Sequence, residues 1–98
     1  MSNANYQVGY RAERRAGEVL KDWGFEVIRS GKSGGPFDLV GYNATSFILI
    51  QVKSCQFGDL KKYRKVKEEL AKIKVPANCR KELWVYERRR GFHYLPIN

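Results

Sequence analysis

This chain has little with which to hold itself together covalently. Its only two cysteines, Cys55 and Cys79, form no CxxC pair, and the single histidine, His93, lies at no metal-ligand spacing from either. That spacing gives no Cys/His zinc site; one disulfide stays open, and two unpaired cytosolic thiols are the expectation. No apolar run approaches the ~18 residues of a membrane span, and the N-terminus has no signal-peptide pattern. A single soluble, cytoplasmic domain over residues 1–98 is the expectation. Repeats, linkers and low-complexity stretches are absent. Acid is also scarce: 10 Asp+Glu stand against 19 Lys+Arg, a formal net charge of +9. Clustered Lys and Arg release counterions from phosphates, so the excess points to a polyanionic partner.

Hydrophobic residues make up 43% of the chain, enough for a modest core. Tyr6, Tyr10, Gly17 and Leu20 share a narrow arc at helical periodicity, which predicts a helix over residues 6–23 after a loose start at 1–5, with Gly24 as its stop. Glu13 falls in the middle of that arc. Phe25–Arg29, Pro36–Tyr42 and Phe47–Lys53 read as strands of an antiparallel meander, joined by a Gly/Ser-rich turn at 30–35 and a tight turn at 43–46. Leu60, Tyr63, Val66, Leu70 and Ile73 form the apolar stripe of a second helix. Leu83–Tyr86, apolar on both faces, predicts an interior strand reached by a parallel crossover. After a turn at Arg88–Gly91, Phe92–Ile97 is the last strand. Trp23, Trp84, Tyr86 and Phe92 are assigned to the core, and Lys72, Lys74 and Lys81 to a solvated face.

The informative residues are polar ones on core-facing elements. On a strand, Gln51 and Lys53 point one way while Ile50 and Val52 point the other. Asp38 enters the neighbouring strand, and Glu13 sits on the apolar arc of the first helix. Buried without partners, such groups are costly. Singly, each has an ordinary reading: Glu13 paired with an arginine, Asp38 capping a turn, Lys53 reaching solvent, Gln51 a plain strand residue. Together, carboxylates, an amide oxygen and an ammonium are what metal-assisted phosphodiester hydrolysis requires.

Glu13 in Arg11-Ala12-Glu13-Arg14-Arg15-Ala16, then Gly24–Arg29, then Ser33-Gly34-Gly35-Pro36-Phe37-Asp38-Leu39-Val40, then Ile50-Gln51-Val52-Lys53-Ser54 resembles the PD-(D/E)XK nuclease superfamily. Within it, the chain is most similar to archaeal-type Holliday junction resolvases. The likeness is strongest over residues 8–75. It departs in two places: Phe37 stands between Pro36 and Asp38, and Gln51 replaces the usual acid of the ExK motif.

The resemblance implies an α/β, restriction-endonuclease-like core in the order α-β-β-β-α-β-β, with a mixed central sheet flanked by helices. It implies a metal-dependent DNA endonuclease with Glu13, Asp38, Gln51 and Lys53 as catalytic residues. Glu13, Asp38, Gln51 and the Val52 carbonyl would hold Mg²⁺, with Mn²⁺ a possible substitute. It implies a homodimer acting on branched or four-way DNA. The DNA would be held by Arg11, Arg14 and Arg15, by Ser30, Lys32 and Ser33, by Lys61, Lys62, Arg64 and Lys65, and by Arg88, Arg89 and Arg90. Three alternatives stay open: a catalytically silent nucleic-acid-binding domain on the same fold, a repair or restriction-type nuclease on ordinary duplex, and an RNA-binding domain that prefers unpaired strands.

Overall fold

The computed structural model describes residues 3–29 and 36–97, without the side chains of residues 3–10. The side chains of Tyr6 and Tyr10, and the Gly/Ser-rich turn with Ser30, Lys32 and Ser33, lie outside what it describes. Helix α1 spans Asn3–Asp22, so it begins before the expected loose start has ended. It stops at Gly24, whose φ of 94° is unfavourable for residues with a Cβ. The Gly24 N–H donates to the Lys21 carbonyl and the Phe25 N–H to that of Leu20. This is the double bond of a Schellman motif, and Phe25 packs back toward Leu20.

Strands β1 (Glu26–Arg29), β2 (Leu39–Tyr42) and β3 (Phe47–Cys55) follow as an antiparallel meander. The β2–β3 turn closes on Asn43, whose Oδ1 accepts the N–H groups of Thr45 and Ser46 at 3.0 Å each. A single 3₁₀ turn, Leu60–Tyr63, leads into helix α2 (Arg64–Ala71). Strands β4 (Cys79–Glu87) and β5 (Gly91–Ile97) complete a sheet ordered β1-β2-β3-β4-β5, in which only β3–β4 is parallel. The element order and mixed sheet are those expected. No helix among the described residues is long and apolar enough to cross a membrane.

Two cores lie on opposite faces of the sheet. On one, Ala12, Ala16 and Leu20 of α1 meet Leu39, Ile48, Ile50, Val52 and Trp84. The small side chains let α1 lie close. At Gly41 an added Cβ would come within 2.9 Å of Ile48 Cγ2 and 3.3 Å of Leu20 Cδ1, so only glycine fits. On the other face, Tyr63 and Leu70 pack on Cys55, Leu83, Val85 and Ile97. Strand β4 therefore supplies side chains to both cores, which explains its apolar pattern on both faces. Both cysteines are free thiols.

Three residues depart from the sequence reading. Tyr86 is not core: it is 36% exposed, with its ring edge-on to Phe92 at 5.3 Å. Trp23 is not core: it is 49% exposed, lying edge-on against Trp84 at 5.2 Å beyond the end of α1. Lys81 is not on a solvated face: it is buried. Its Nζ donates to the carbonyls of Leu70 (2.8 Å), Ala71 (3.2 Å) and Ile73 (2.6 Å), closing the C-terminus of α2, where unpaired carbonyls and the helix dipole favour a cation. Lys81→Met, which keeps the stem and removes the donor, is expected to cost about 2 kcal/mol and lower Tm by roughly 10 °C. Lys72→Met and Lys74→Met should change stability by no more than about 0.5 kcal/mol. Thermal unfolding of the three variants checks this.

Candidate active site at the sheet fork

Strand β2 and strand β3 part company at Asp38. Their paired register ends at Leu39↔Ile50, one residue into β2. The Asp38 N–H still donates to the Ile50 carbonyl at 2.8 Å. Its side chain then takes over from the ladder: Oδ2 accepts the Val52 N–H at 2.7 Å. Asp38 is thus just before the strand rather than within it, because its carboxylate occupies the place of the next backbone partner. Phe37 packs toward the Tyr63–Leu70 core while Leu39 is buried in the opposite one. The residue inserted after Pro36 therefore anchors the entry to the fork.

Beyond Ile50, β3 remains paired with β4 up to Cys55↔Glu87. Its other edge has lost β2. A strand residue's N–H and C=O leave on the same side, so the Val52 carbonyl opens on this edge beside Asp38. Gln51 and Lys53 flank it, both half-buried.

Glu13 reaches the fork from α1. The buried stripe of that helix is Ala12, Ala16, Gly17 and Leu20; Glu13 stands beside it rather than at its centre, with its side chain 31% exposed. Arg29 Nη2, at the end of β1, is 3.6 Å from Glu13 Oε1. Burial pushes the Glu13 carboxyl above its usual range, and the charge of Asp38 adds to this, while Arg29 opposes both. Glu13 and Asp38 thus share one electrostatic neighbourhood although they come from opposite ends of the motif.

The corner offers oxygen donors: the carboxylates of Glu13 and Asp38 and the Val52 carbonyl, with Gln51 the preceding residue of β3. That chemistry suits a hard divalent cation. Among the described residues no group of three or more His, Cys, Asp or Glu could hold a metal.

A cleft of about 850 Å³ adjoins the corner and shares Val52 and Lys53 with it. Arg11 and Arg15 of α1, Lys62 and Arg88 join Lys53 on its wall, and among the described residues no Asp or Glu lines it. Ser54 Oγ, also on the wall, is buried without a hydrogen-bond partner among the described residues. The Ser54 carbonyl accepts the Tyr63 hydroxyl at 2.6 Å, tying the 3₁₀ turn to β3. Arg14, Lys61, Arg64, Lys65, Arg89 and Arg90 stand outside this wall. Arg64 pairs with Glu68. Arg90 pairs with Glu87 and lies over the Phe57 ring at 4.7 Å, which supplies the anionic balance that a run of three arginines lacks.

Glu87 is the residue that sequence reasoning missed. Its buried carboxylate accepts the Gly58 N–H at 2.7 Å and contacts His93 Nε2 at 2.6 Å, fastening the loop after β3 to the β4–β5 hairpin. The signal was in the hairpin register: Val85 pairs with His93, which puts Glu87 diagonally next to the only histidine. His93 is thereby structural, as expected for a histidine between two aromatic strand residues.

A mixed sheet with an acidic corner at a strand fork, beside a basic cleft, defines a nuclease of the restriction-endonuclease-like class. The profile of the archaeal Holliday junction resolvase (Hjc) family matches residues 4–91. The chain belongs to that family, and is a Holliday junction resolvase-like nuclease. A search of curated proteins finds no match. Among solved structures it is similar to Hjc of Archaeoglobus fulgidus, a Holliday junction resolvase from an archaeal hyperthermophile. The identity is 20%, covering 91% of this chain and 72% of that one, with a TM-score of 0.59. At that identity the likeness speaks for the fold.

Two predictions concern this region. Asp38→Asn retains an oxygen for the Val52 N–H and should leave stability within about 0.5 kcal/mol of wild type, whereas Asp38→Ala should lose about 1–2 kcal/mol; urea unfolding separates the two. Glu87 predicts a pH effect. The Gly58 N–H, with His93 and Arg90, holds its carboxyl below the ordinary glutamate value despite burial. A carboxyl lowered in the folded state contributes stability that is complete above its unfolded value and is lost as pH falls through its folded value. Glu87→Gln should therefore be less stable than wild type at pH 7. The gap should narrow as pH drops below the ordinary glutamate range, as measured by unfolding across pH 2–7.

Proposed function

We propose that this chain is a metal-dependent endodeoxyribonuclease that acts as a homodimer on four-way DNA junctions, with Mg²⁺ as its cation and Mn²⁺ as a substitute. What supports the reading is the shared neighbourhood of Glu13 and Asp38 at an open strand edge, beside a cleft walled by cations that include Lys53. Glu13, the free Asp38 oxygen, the Gln51 amide oxygen and the Val52 carbonyl are the ligands. The cation, when bound, supplies Lewis-acid polarisation of the phosphate and a more acidic water. Asp38 is fixed by its bond to Val52, so its second oxygen needs no reorganisation to serve. Lys53 orients the attacking water and stabilises charge growing on the phosphate oxygens. The cleft cations hold phosphates in register without reading bases.

Two cuts placed symmetrically across a junction call for two sites related by a two-fold axis, which is the reason for the dimer. A second reading has one specific observation in its favour. With Gln51, the donor set carries two negative charges where the ExK pattern supplies three, which would suit a domain that binds junctions without cutting them.

Cleavage of a labelled four-way junction, beside duplex, nicked and single-stranded controls in Mg²⁺, Mn²⁺ or EDTA, decides between them. Paired cuts in the arms, abolished by EDTA and by Asp38→Asn and reduced roughly hundredfold or more by Lys53→Ala, are expected. Gln51→Glu should tighten metal binding on the order of tenfold. Junction binding without cutting in either metal would instead establish the silent domain. Cutting of duplex alone would remove the junction from the proposal.

A further inference from the structure

Helix α1 packs on β1, β2 and β3, and on the same side of the sheet the outer half made by β4 and β5 is roofed by aromatic rings. Trp84, fully buried, forms the floor. Above it Tyr86, Phe92, Tyr94 and Trp23 run in sequence, with ring centroids 5.3 Å, 6.0 Å and 5.3 Å apart at the successive steps. Three of the four remain open to solvent: Tyr86 at 36%, Tyr94 at 41% and Trp23 at 49%. A core lid needs the rings' inner faces only; this ridge offers outer ones as well.

The ridge starts in the basic cleft. Tyr86 is part of the cleft wall, together with Arg11, Arg15, Lys53, Lys62 and Arg88. A surface walled by five cations, with no acid among the described residues that line it, and continued by exposed rings combines the two features by which unpaired nucleic acid is bound: charge along the backbone and flat partners for the bases. A continuous duplex keeps its base faces stacked on one another and gains only the first. A branch point or a frayed end, where pairing is interrupted, gains both.

We infer that the cleft and the Tyr86–Phe92–Tyr94–Trp23 ridge form a binding site for an unpaired DNA strand, whose phosphates lie against Arg15 and Arg88 and whose bases stack on Tyr94 and Trp23. The site lies beside the fork and extends away from it. The inference rests on DNA being the polyanion, as proposed above, but not on the chain cutting it.

The test is fluorescence anisotropy of a labelled dT20 strand and of a 20-base-pair duplex, both in EDTA, with wild type, Trp23→Ala, Tyr94→Leu and the Arg15→Ala/Arg88→Ala pair. Tyr94→Leu keeps an apolar cover over Trp84 while removing the stacking ring, and circular dichroism verifies that each variant is folded. Trp23→Ala and Tyr94→Leu should each weaken dT20 binding about tenfold while duplex affinity stays within about twofold. The double arginine variant should weaken both ligands and flatten their salt dependence. With Trp84 buried, quenching of wild-type tryptophan emission by dT20 should disappear in Trp23→Ala. Equal loss on both ligands, or no loss on either, overturns the inference. So does a change of oligomeric state in sedimentation without a change in dT20 affinity, which would place the ridge between copies of the chain. Junction cleavage by the wild type keeps the two proposals apart: cutting without ridge-dependent dT20 binding sinks this one alone, and ridge-dependent binding without cutting sinks only the nuclease.

Discussion

The bond from the Val52 N–H to the Asp38 carboxylate is the constraint on which the rest of the site depends. At 2.7 Å and with an ionised acceptor it is of the strong kind. It does two things that a continued β-ladder would not. It satisfies the Val52 N–H, a strand-edge donor, at the point where β2 turns away. It also places a carboxylate in the plane of the sheet, level with the Val52 carbonyl. Phe37 and Leu39, buried toward opposite faces, hold the backbone on either side of Asp38. The acid is therefore positioned by two cores at once, and a shift of either would move it.

Around this fixed point the charges are sorted. The acids Glu13 and Asp38 meet at the fork, with Arg29 against Glu13. Five cations, Arg11, Arg15, Lys53, Lys62 and Arg88, line the adjoining cleft. The segment Val52–Lys53 belongs to both zones, so Lys53 stands where a phosphate drawn along the cleft would meet the oxygen donors. Elsewhere some positive charge is compensated within the fold: Arg64 by Glu68, Arg90 by Glu87, and Lys81 by the carbonyls that end α2. The formal +9 already nets every acid against the 19 Lys and Arg, and five of those cations converge on the cleft.

Much of this was legible beforehand. Helical stripes and alternating strands report burial, and burial is what the two cores impose, so the element order and the meander followed from periodicity. The order Glu13, Asp38, Gln51, Lys53 carried the family resemblance. What periodicity misses is where a polar side chain finds its partner. Lys81 looks like any lysine until β4 is seen to start under the end of α2. Glu87 acquires meaning only when the hairpin register brings His93 across. Trp23 belongs to the core by composition, yet the Schellman turn at Gly24 has already ended the helix, and the indole is left over the outside of Trp84. Each error is a case of tertiary placement overruling a local preference.

Gln51 is better understood through Glu13 than alone. Burial and the Asp38 charge already push the Glu13 carboxyl up, and Arg29 only partly relieves it. A third carboxylate at position 51 would add like charge to the same corner and raise the cost of keeping Glu13 ionised without a cation. An amide leaves the oxygen donor in place and removes that repulsion, at the expense of weaker attraction for a divalent ion. The cleft supplies a compensating route. Under the proposed function, a phosphate held by Arg15, Lys62 and Arg88 would bring its own negative charge to the fork, so the cation would meet a more complete ligand set with DNA present than without it. Metal and substrate would then assist each other's binding at this corner.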